Sequence, residues 1–180
     1  CTYSGVLTYQ NGKKTTIDPN KIAKMDYLIY CLKQKGIYIH LDTNAGRVLT
    51  TADGFSSEEV AAGSSGALRA TRFFDENVIK LEQQFSLDLL KHVNSYTKLS
   101  YAKDPVIAIV QYANESSITW YDSPNPDTVF TRNLNKRYNE WLVKKYKTRT
   151  ALAKAWTDNK GNCALKSNED PTKGTVASST

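Results

Sequence analysis

Two spacings of hydrophobic residues recur along the chain, and together they predict alternating helices and strands. Apolar residues return every three or four positions, the period of an amphipathic helix, in segments that we predict as helices over 19–35, 76–93, 127–146 and 150–156. Short runs of β-branched and aromatic residues predict two strands, Ile37–Asp42 and Val106–Val110, and the second of them is an unbroken apolar run. The second run has the composition of a strand that is buried on both faces. This order of elements is typical of an α/β fold with parallel strands and amphipathic helices.

Short-range signals mark where several of these elements begin and end. Asn11-Gly12 predicts the turn of a hairpin near the start of the chain. Asp18, directly before a proline, predicts the N-cap of the first helix, and Gly36 is typical of a left-handed helix end. Asp75 predicts the N-cap of the second long helix. We expect the third long helix to turn four aromatic or aliphatic residues toward the core: Phe130, Leu134, Tyr138 and Trp141.

Two segments have no sustained hydrophobic period. Residues 43–71 are rich in Gly, Ser, Ala and Thr, and we predict a long loop of functional type between a strand and a helix. Residues 158–180 are polar and rich in turn-forming residues, which predicts an irregular tail. We expect residues 1–180 to form one domain that contains both segments.

The composition is that of a globular protein and offers little sign of a bound metal. Hydrophobic residues make up 40% of the chain and charged residues 23%. No apolar run is long enough for a membrane helix, so we expect no membrane partner. The three cysteines and two histidines lack the spacing of metal ligands. We therefore predict no metal site and no cofactor.

The net charge of +6 and the pI near 9.1 leave an anionic polymer as one class of partner. The basic residues are spread along the chain except for one cluster: Lys144, Lys145, Lys147 and Arg149. This cluster closes a predicted helix, where cations complement the negative end of the helix dipole and where charge runs usually face solvent. We therefore expect no nucleic-acid partner, and a polymer-binding basic domain remains a rival interpretation.

Candidate chemistry follows the two predicted strands. His40 and Asp42 end the first strand, and Asn114-Glu115 comes just after the second. A carboxylate at the rim of an apolar wall is desolvated, which can raise its pKa toward that of a general acid. The same dipeptide occurs again at Asn139-Glu140, where we predict the polar side of a helix. Position alone therefore distinguishes Glu115, and carboxylates at strand ends often only cap a neighbouring helix or pair with a base.

The sequence resembles the clan A glycoside hydrolases, which are cellulase-like (β/α)8 barrels. The resemblance rests on stretches in the family's order: Asp18–Ile39, Arg72–Asp75, His92–Thr97, Asp104–Glu115, Tyr138–Tyr146, Ala151–Trp156 and Glu169–Val176. It implies that Ile37–Asp42 is the third barrel strand and Val106–Tyr112 the fourth. The expected fold is therefore a fragment, an incomplete (β/α)8 TIM barrel.

The resemblance also implies a function and a set of site residues. Glu115 would be the acid/base of a retaining hydrolase acting on a β-linked glycan, and Asn114 would bind the 2-hydroxyl of the sugar. The remaining substrate-binding candidates come from the strand ends and nearby loops: His40, Asp42, Arg47, Trp120 and Tyr121. For the two aromatic residues, packing of the loop against the barrel rim is an equal alternative.

The family's nucleophile, a glutamate after the seventh strand, has no counterpart in these residues. We therefore expect the isolated chain to be inactive, although the parent enzyme would be a secreted glycosidase, extracellular or periplasmic in a bacterium. The partner would be a poly- or oligosaccharide. The alternative is a non-catalytic carbohydrate-binding or assembly half-barrel that associates with itself through open sheet edges.

Overall fold

The computed structural model describes residues 5–43, 46–63, 70–114 and 128–178. Within them, four strands and five α-helices follow one another along the chain. The strands are β1 (Leu7–Thr8), β2 (Thr16–Ile17), β3 (Ile39–Asp42) and β4 (Ile107–Gln111). The helices are α1 (Pro19–Gln34), α2 (Ser57–Ala62), α3 (Glu76–Lys91), α4 (Val129–Tyr146) and α5 (Arg149–Ala155). None of the described helices is long and apolar enough to span a membrane.

Local signals in the first third of the chain are confirmed. Strands β1 and β2 pair antiparallel, and Gly12 between them has a φ of +71°, a backbone conformation that favours glycine. The carboxylate of Asp18 accepts hydrogen bonds from two backbone N–H groups in the first turn of α1. Gly36 follows the end of α1 with a φ of +68°. Each of these features depends only on residues a few positions away.

Strands β3 and β4 pair in parallel and are joined through α3, so the described fold is a mixed α/β fold as predicted. Leu41 of β3 is 2% exposed and packs in a core with Phe85 and Leu89 of α3. The same core includes Ile29 of α1 and residues of the hairpin. Helices α1 and α3 therefore cover one face of the two-stranded sheet.

The prediction that the second strand is buried on both faces is wrong for the described residues. Ile109 is 58% exposed and Val110 is 45% exposed. Within the part of the chain that the structure describes, β4 pairs only with β3. The strand therefore has the composition of a buried strand, but the described residues leave much of it uncovered.

The prediction of a long loop over 43–71 is also wrong in part, because α2 lies within it. Ser56 caps this helix by accepting from the N–H of Glu59, and the Glu59 carboxylate accepts from the N–H and hydroxyl of Ser56. This reciprocal pair is a capping box. The Ser-x-x-Glu spacing was visible in the sequence and would have predicted the helix.

The polar tail is better packed than predicted. Its residues Leu165 and Val176 are at most 6% exposed, and they form a core with Leu142 and Leu152 of the last two helices. Because Leu142 points inward, its neighbour Trp141 is 49% exposed, so the prediction that Trp141 faces the core is wrong.

Asn139 also differs from its predicted place on a polar helix side, since it is only 3% exposed. Its amide donates to the carbonyl of Val176 at 2.7 Å and accepts from the N–H of Val176 at 3.1 Å. The side chain thus pairs with the tail backbone much as a neighbouring strand would.

A buried carboxylate on α1 holds the turn that precedes β4. Asp26 is 2% exposed and accepts hydrogen bonds from the Tyr101 hydroxyl at 2.7 Å and from the Ser95 N–H at 3.0 Å. Its two oxygens also lie 2.9 and 3.0 Å from His92 Nε2. The amide of Asn94 donates to the backbone carbonyl of Asp26 at 3.0 Å. Burial, followed by the bond to Asp26, raises the pKa of Tyr101, so this phenol remains a donor.

Replacing Tyr101 by Phe should destabilise the fold. The change removes one hydroxyl and leaves a buried carboxylate short of a donor, which costs about 1–3 kcal/mol. Urea unfolding of Tyr101→Phe should therefore show a lower free energy of unfolding than the wild type. Tyr38→Phe is the matched control because Tyr38 is 73% exposed. Equal stabilities for the two variants would contradict the assigned role of the hydroxyl.

Candidate functional site

The candidate site lies where the carboxyl ends of β3 and β4 meet. Asp42 is in register with Gln111, and His40 is in register with Ile109. Because side chains alternate along a strand, these four residues share one face of the sheet, whereas Leu41 enters the core on the other. Both the N–H and the hydroxyl of Thr43 donate to the carbonyl of Gln111, at 2.9 and 3.1 Å. The parallel pairing thus continues one residue beyond the strands.

Gln111 orients the amide of Asn114. Its Nε2 donates to Asn114 Oδ1 at 2.7 Å and lies 3.3 Å from the carbonyl oxygen of Ala113. The side chain of the last residue of β4 therefore fixes a polar group in the loop just beyond the strand. Sequence reasoning selected Asn114 but missed Gln111, since the interaction depends on how the chain turns after the strand.

The other predicted site residues have different environments. His40 is exposed, whereas Asp42 and Arg47 are buried, at 8% and 4% exposure. The predicted acid/base Glu115 lies outside the described residues. The same is true of the two aromatic candidates in the following loop, Trp120 and Tyr121.

A cluster of buried charges adjoins the end of β3. Glu82 of α3 is 4% exposed, and its Oε1 lies 3.3 Å from a guanidinium nitrogen of Arg72. Burial raises the pKa of Glu82; the charges of Arg72 and Arg47 lower it in part, and the charge of Asp42 raises it further. These four formal charges sum to zero. We call Asp42, Arg47, Arg72 and Glu82 the strand-end charge cluster.

Arg47 is the least satisfied member of this cluster. Its guanidinium carbon lies 5.5 Å from the centroid of the Phe85 ring, a cation–π contact. Its Nε is buried and has no hydrogen-bond partner among the described residues. Burial lowers the pKa of Arg47, and the charges of Glu82, Tyr9 and Asp53 oppose that effect. The guanidinium nevertheless remains protonated at neutral pH.

Sequence reasoning missed Glu82 and Arg72, although one signal pointed to the glutamate. The buried residues of α3 are Val78, Glu82, Phe85 and Leu89, a helical spacing that places a carboxylate on the apolar stripe. A charged residue on such a stripe needs a buried partner. The identity of that partner, ten residues earlier in the chain, was not evident from spacing.

The described part of the site combines oriented amides with charged groups at a strand end. Such a set can bind hydroxyl groups and carboxylates through hydrogen bonds. Among the described residues, no group of three or more His, Cys, Asp or Glu side chains is arranged to hold a metal ion.

Comparisons with known proteins identify no relative of this chain. The chain gives no significant match to a protein-family model, to a curated protein or to a solved structure.

Replacing Glu82 by Gln should change how stability depends on pH. The pKa of Glu82 is 4.5 in its unperturbed state and higher in the fold, so the folded protein binds the proton more tightly. Its contribution to stability is therefore largest below pH 4.5 and is lost as the pH rises through the folded pKa. Each unit by which the folded pKa of Glu82 exceeds the unfolded pKa reduces the free energy of unfolding by about 1.4 kcal/mol once the carboxyl group is ionised in both the folded and the unfolded protein.

Urea unfolding between pH 4.5 and 7.5 measures this effect. The free energy of unfolding of Glu82→Gln relative to the wild type should rise with pH, because the variant cannot bury a charge. The charge of Arg72 already contributes to the folded pKa of Glu82, and the change from a protonated carboxyl group to an amide adds an offset that does not depend on pH. Glu140→Gln, at an exposed position on α4, should show no such slope. Parallel curves for the wild type and Glu82→Gln would contradict the burial of an ionisable carboxylate.

Proposed function

We propose that this chain is part of a retaining glycoside hydrolase that acts on a β-linked glycan, and that it forms one portion of a (β/α)8 barrel. Glu115 is the proposed acid/base, and Asn114 binds the sugar's 2-hydroxyl. The nucleophile would come from a barrel strand that is not among these residues. The observation that carries the proposal is the amide of Asn114, oriented by Gln111 at 2.7 Å just beyond a parallel strand.

The architecture supports this proposal. Catalytic groups of (β/α)8 barrels lie at the carboxyl ends of parallel strands, and β3 and β4 are parallel strands joined through a helix. Their helix-covered face contains Leu41, and the opposite face presents His40, Asp42 and Gln111. In a barrel that opposite face is the interior, whose upper rim binds substrate.

The strand-end charge cluster supports a positioning role for Asp42. A retaining enzyme needs a second carboxylate about 5 Å from the acid/base, and Asp42 is the carboxylate at the neighbouring strand end. Asp42 is only 8% exposed and influences the titration of Glu82. A buried carboxylate within a neutral charge cluster suits orientation of neighbouring groups better than attack on a sugar.

The proposed mechanism has two steps that use the same glutamate. In the first, Glu115 protonates the glycosidic oxygen as the nucleophile attacks the anomeric carbon and the leaving group departs. In the second, the Glu115 carboxylate removes a proton from water, which attacks the glycosyl-enzyme intermediate and releases the sugar.

Hydrolysis of aryl β-glycosides tests the proposal. A longer product of the same gene that includes the later barrel strands should be active, and the 180-residue chain should not. In the active protein, Glu115→Gln should lower kcat/KM, which reports the first step, by about 10²–10⁴-fold on substrates with poor leaving groups. The loss of kcat/KM should be much smaller with a dinitrophenyl leaving group, since that group departs without a proton.

Glu140→Gln is the matched control because it changes the second Asn-Glu dipeptide of the chain, and it should leave kcat unchanged. Circular dichroism should show that both variants keep their fold. An equal loss of kcat/KM on all substrates for Glu115→Gln, or no loss at all, would contradict the acid/base assignment.

A second candidate, a non-catalytic assembly half-barrel, is favoured by the exposure of β4. Ile109 and Val110 present large apolar side chains on a strand whose second edge is unpaired within the described residues. Exposed edges of this kind pair readily with another chain. Sedimentation should then give a stable dimer that Ile109→Lys dissociates, with no hydrolysis by any longer product.

A further inference from the structure

The C-terminal part of the chain contains an aromatic cleft that the proposed catalytic role does not use. The cleft has a volume of about 480 Å³ and lies between α4, the end of α5 and the tail. Tyr138 and Trp156 form its aromatic walls, and Val176, Ala177 and Ser178 line it from the tail. A concave site of this size with mostly apolar walls and a few polar groups is typical of small-ligand sites.

The aromatic surface continues from the cleft onto the exposed side of α4. The ring of Tyr138 lies nearly parallel to that of Trp141, with an angle of 14° between planes and 6.1 Å between centroids. Trp141 is 49% exposed, and its ring stacks on Tyr138, which lines the cleft. Flat aromatic surfaces pack against the C–H faces of pyranose rings, which removes apolar area of both partners from water.

Positive charge accompanies these rings. The ammonium group of Lys145 lies 4.8 Å from the centroid of Trp141 and 5.2 Å from that of Tyr146, which holds the cation at the aromatic surface. Lys166 lines the cleft itself. The acidic residue of the cleft, Glu169, is 6% exposed and accepts from the backbone N–H of Lys166 at 2.9 Å. Two exposed lysines, Lys145 and Lys166, thus accompany the rings.

We propose that Tyr138, Trp141, Trp156, Lys145 and Lys166 form an accessory binding site for an acidic oligosaccharide, one that carries carboxylate or sulfate groups. The rings pack against the sugar faces, and the lysines pair with the acidic groups. The choice of a sugar over a nucleic acid rests on the proposed function. The site would hold the acidic polysaccharide at a place distinct from the strand ends, because the cleft and the strand-end residues have no member in common.

Calorimetric titration of the 180-residue chain with oligogalacturonate tests this inference without any need for catalysis. We expect binding that weakens as salt is raised, since exposed charge pairs are screened. Cello-oligosaccharides, which are neutral, should bind at least about tenfold more weakly, a difference within reach of one or two ion pairs.

Two variants and two matched controls locate the site. Trp141→Ala should lower the affinity by about tenfold through the loss of a stacking ring, and Tyr38→Ala, which removes an exposed ring elsewhere, should not. Lys145→Gln should lower the affinity and reduce its salt dependence, and Lys24→Gln, an equal change of charge on α1, should not. All four positions are exposed, so circular dichroism should show an unchanged fold.

Three outcomes overturn the inference: no binding of oligogalacturonate, equal binding of the neutral oligosaccharide, or tighter binding of single-stranded DNA that Trp141→Ala also weakens. An equal effect of each variant and its control overturns the location of the site. None of these outcomes changes the hydrolysis assay with Glu115→Gln, so failure here and failure of the catalytic proposal are separately visible.

Discussion

The buried carboxylate of Asp26 is the constraint on which the arrangement of helices and strands depends. It lies on α1, yet its partners, His92, Ser95 and Tyr101, come from the turn between α3 and β4. An unpaired carboxylate is strongly disfavoured in a core, so α1 and that turn must come together for either to be buried. Once they do, α3 and β4 leave the turn in fixed directions, and β4 can pair in parallel with β3.

The strand-end charge cluster also buries charged groups that need partners, and it lies at the opposite end of the sheet. Four charges are buried beside the end of β3, and they are tolerated because they sum to zero and lie within each other's influence. Such a cluster costs stability compared with apolar packing, and Arg47 even retains a buried nitrogen that has no partner among the described residues. Buried polar groups that lower stability are typical of functional sites. Their position at the carboxyl end of parallel strands agrees with the proposed substrate rim.

The functional groups of the described residues are thus concentrated in two places. The strand ends carry amides and buried charges, whereas the C-terminal helices and tail carry exposed rings and lysines. Asn139 is central to the second place, because its amide pairs with the backbone of Val176 and so holds the tail against α4. Without that pairing, the wall of the aromatic cleft would lose its support.

The features that could be predicted from the sequence are those whose causes are local. Asp18 and Asp75 cap helices through N–H groups two or three residues away, and the strand-end position of Asn114 and Asp42 followed from two short apolar runs. The positions of His40, Asp42 and Asn114 at or just after the strand ends were therefore predictable from local patterns. The contacts of each residue depend on the tertiary structure: Gln111 with Asn114, Glu82 with Arg72, Asp26 with Tyr101, and Trp141 with solvent. Hydrophobic spacing shows that a residue belongs to a helix or strand, but burial and hydrogen bonding depend on segments up to 75 positions away, and no local pattern encodes which segments those are.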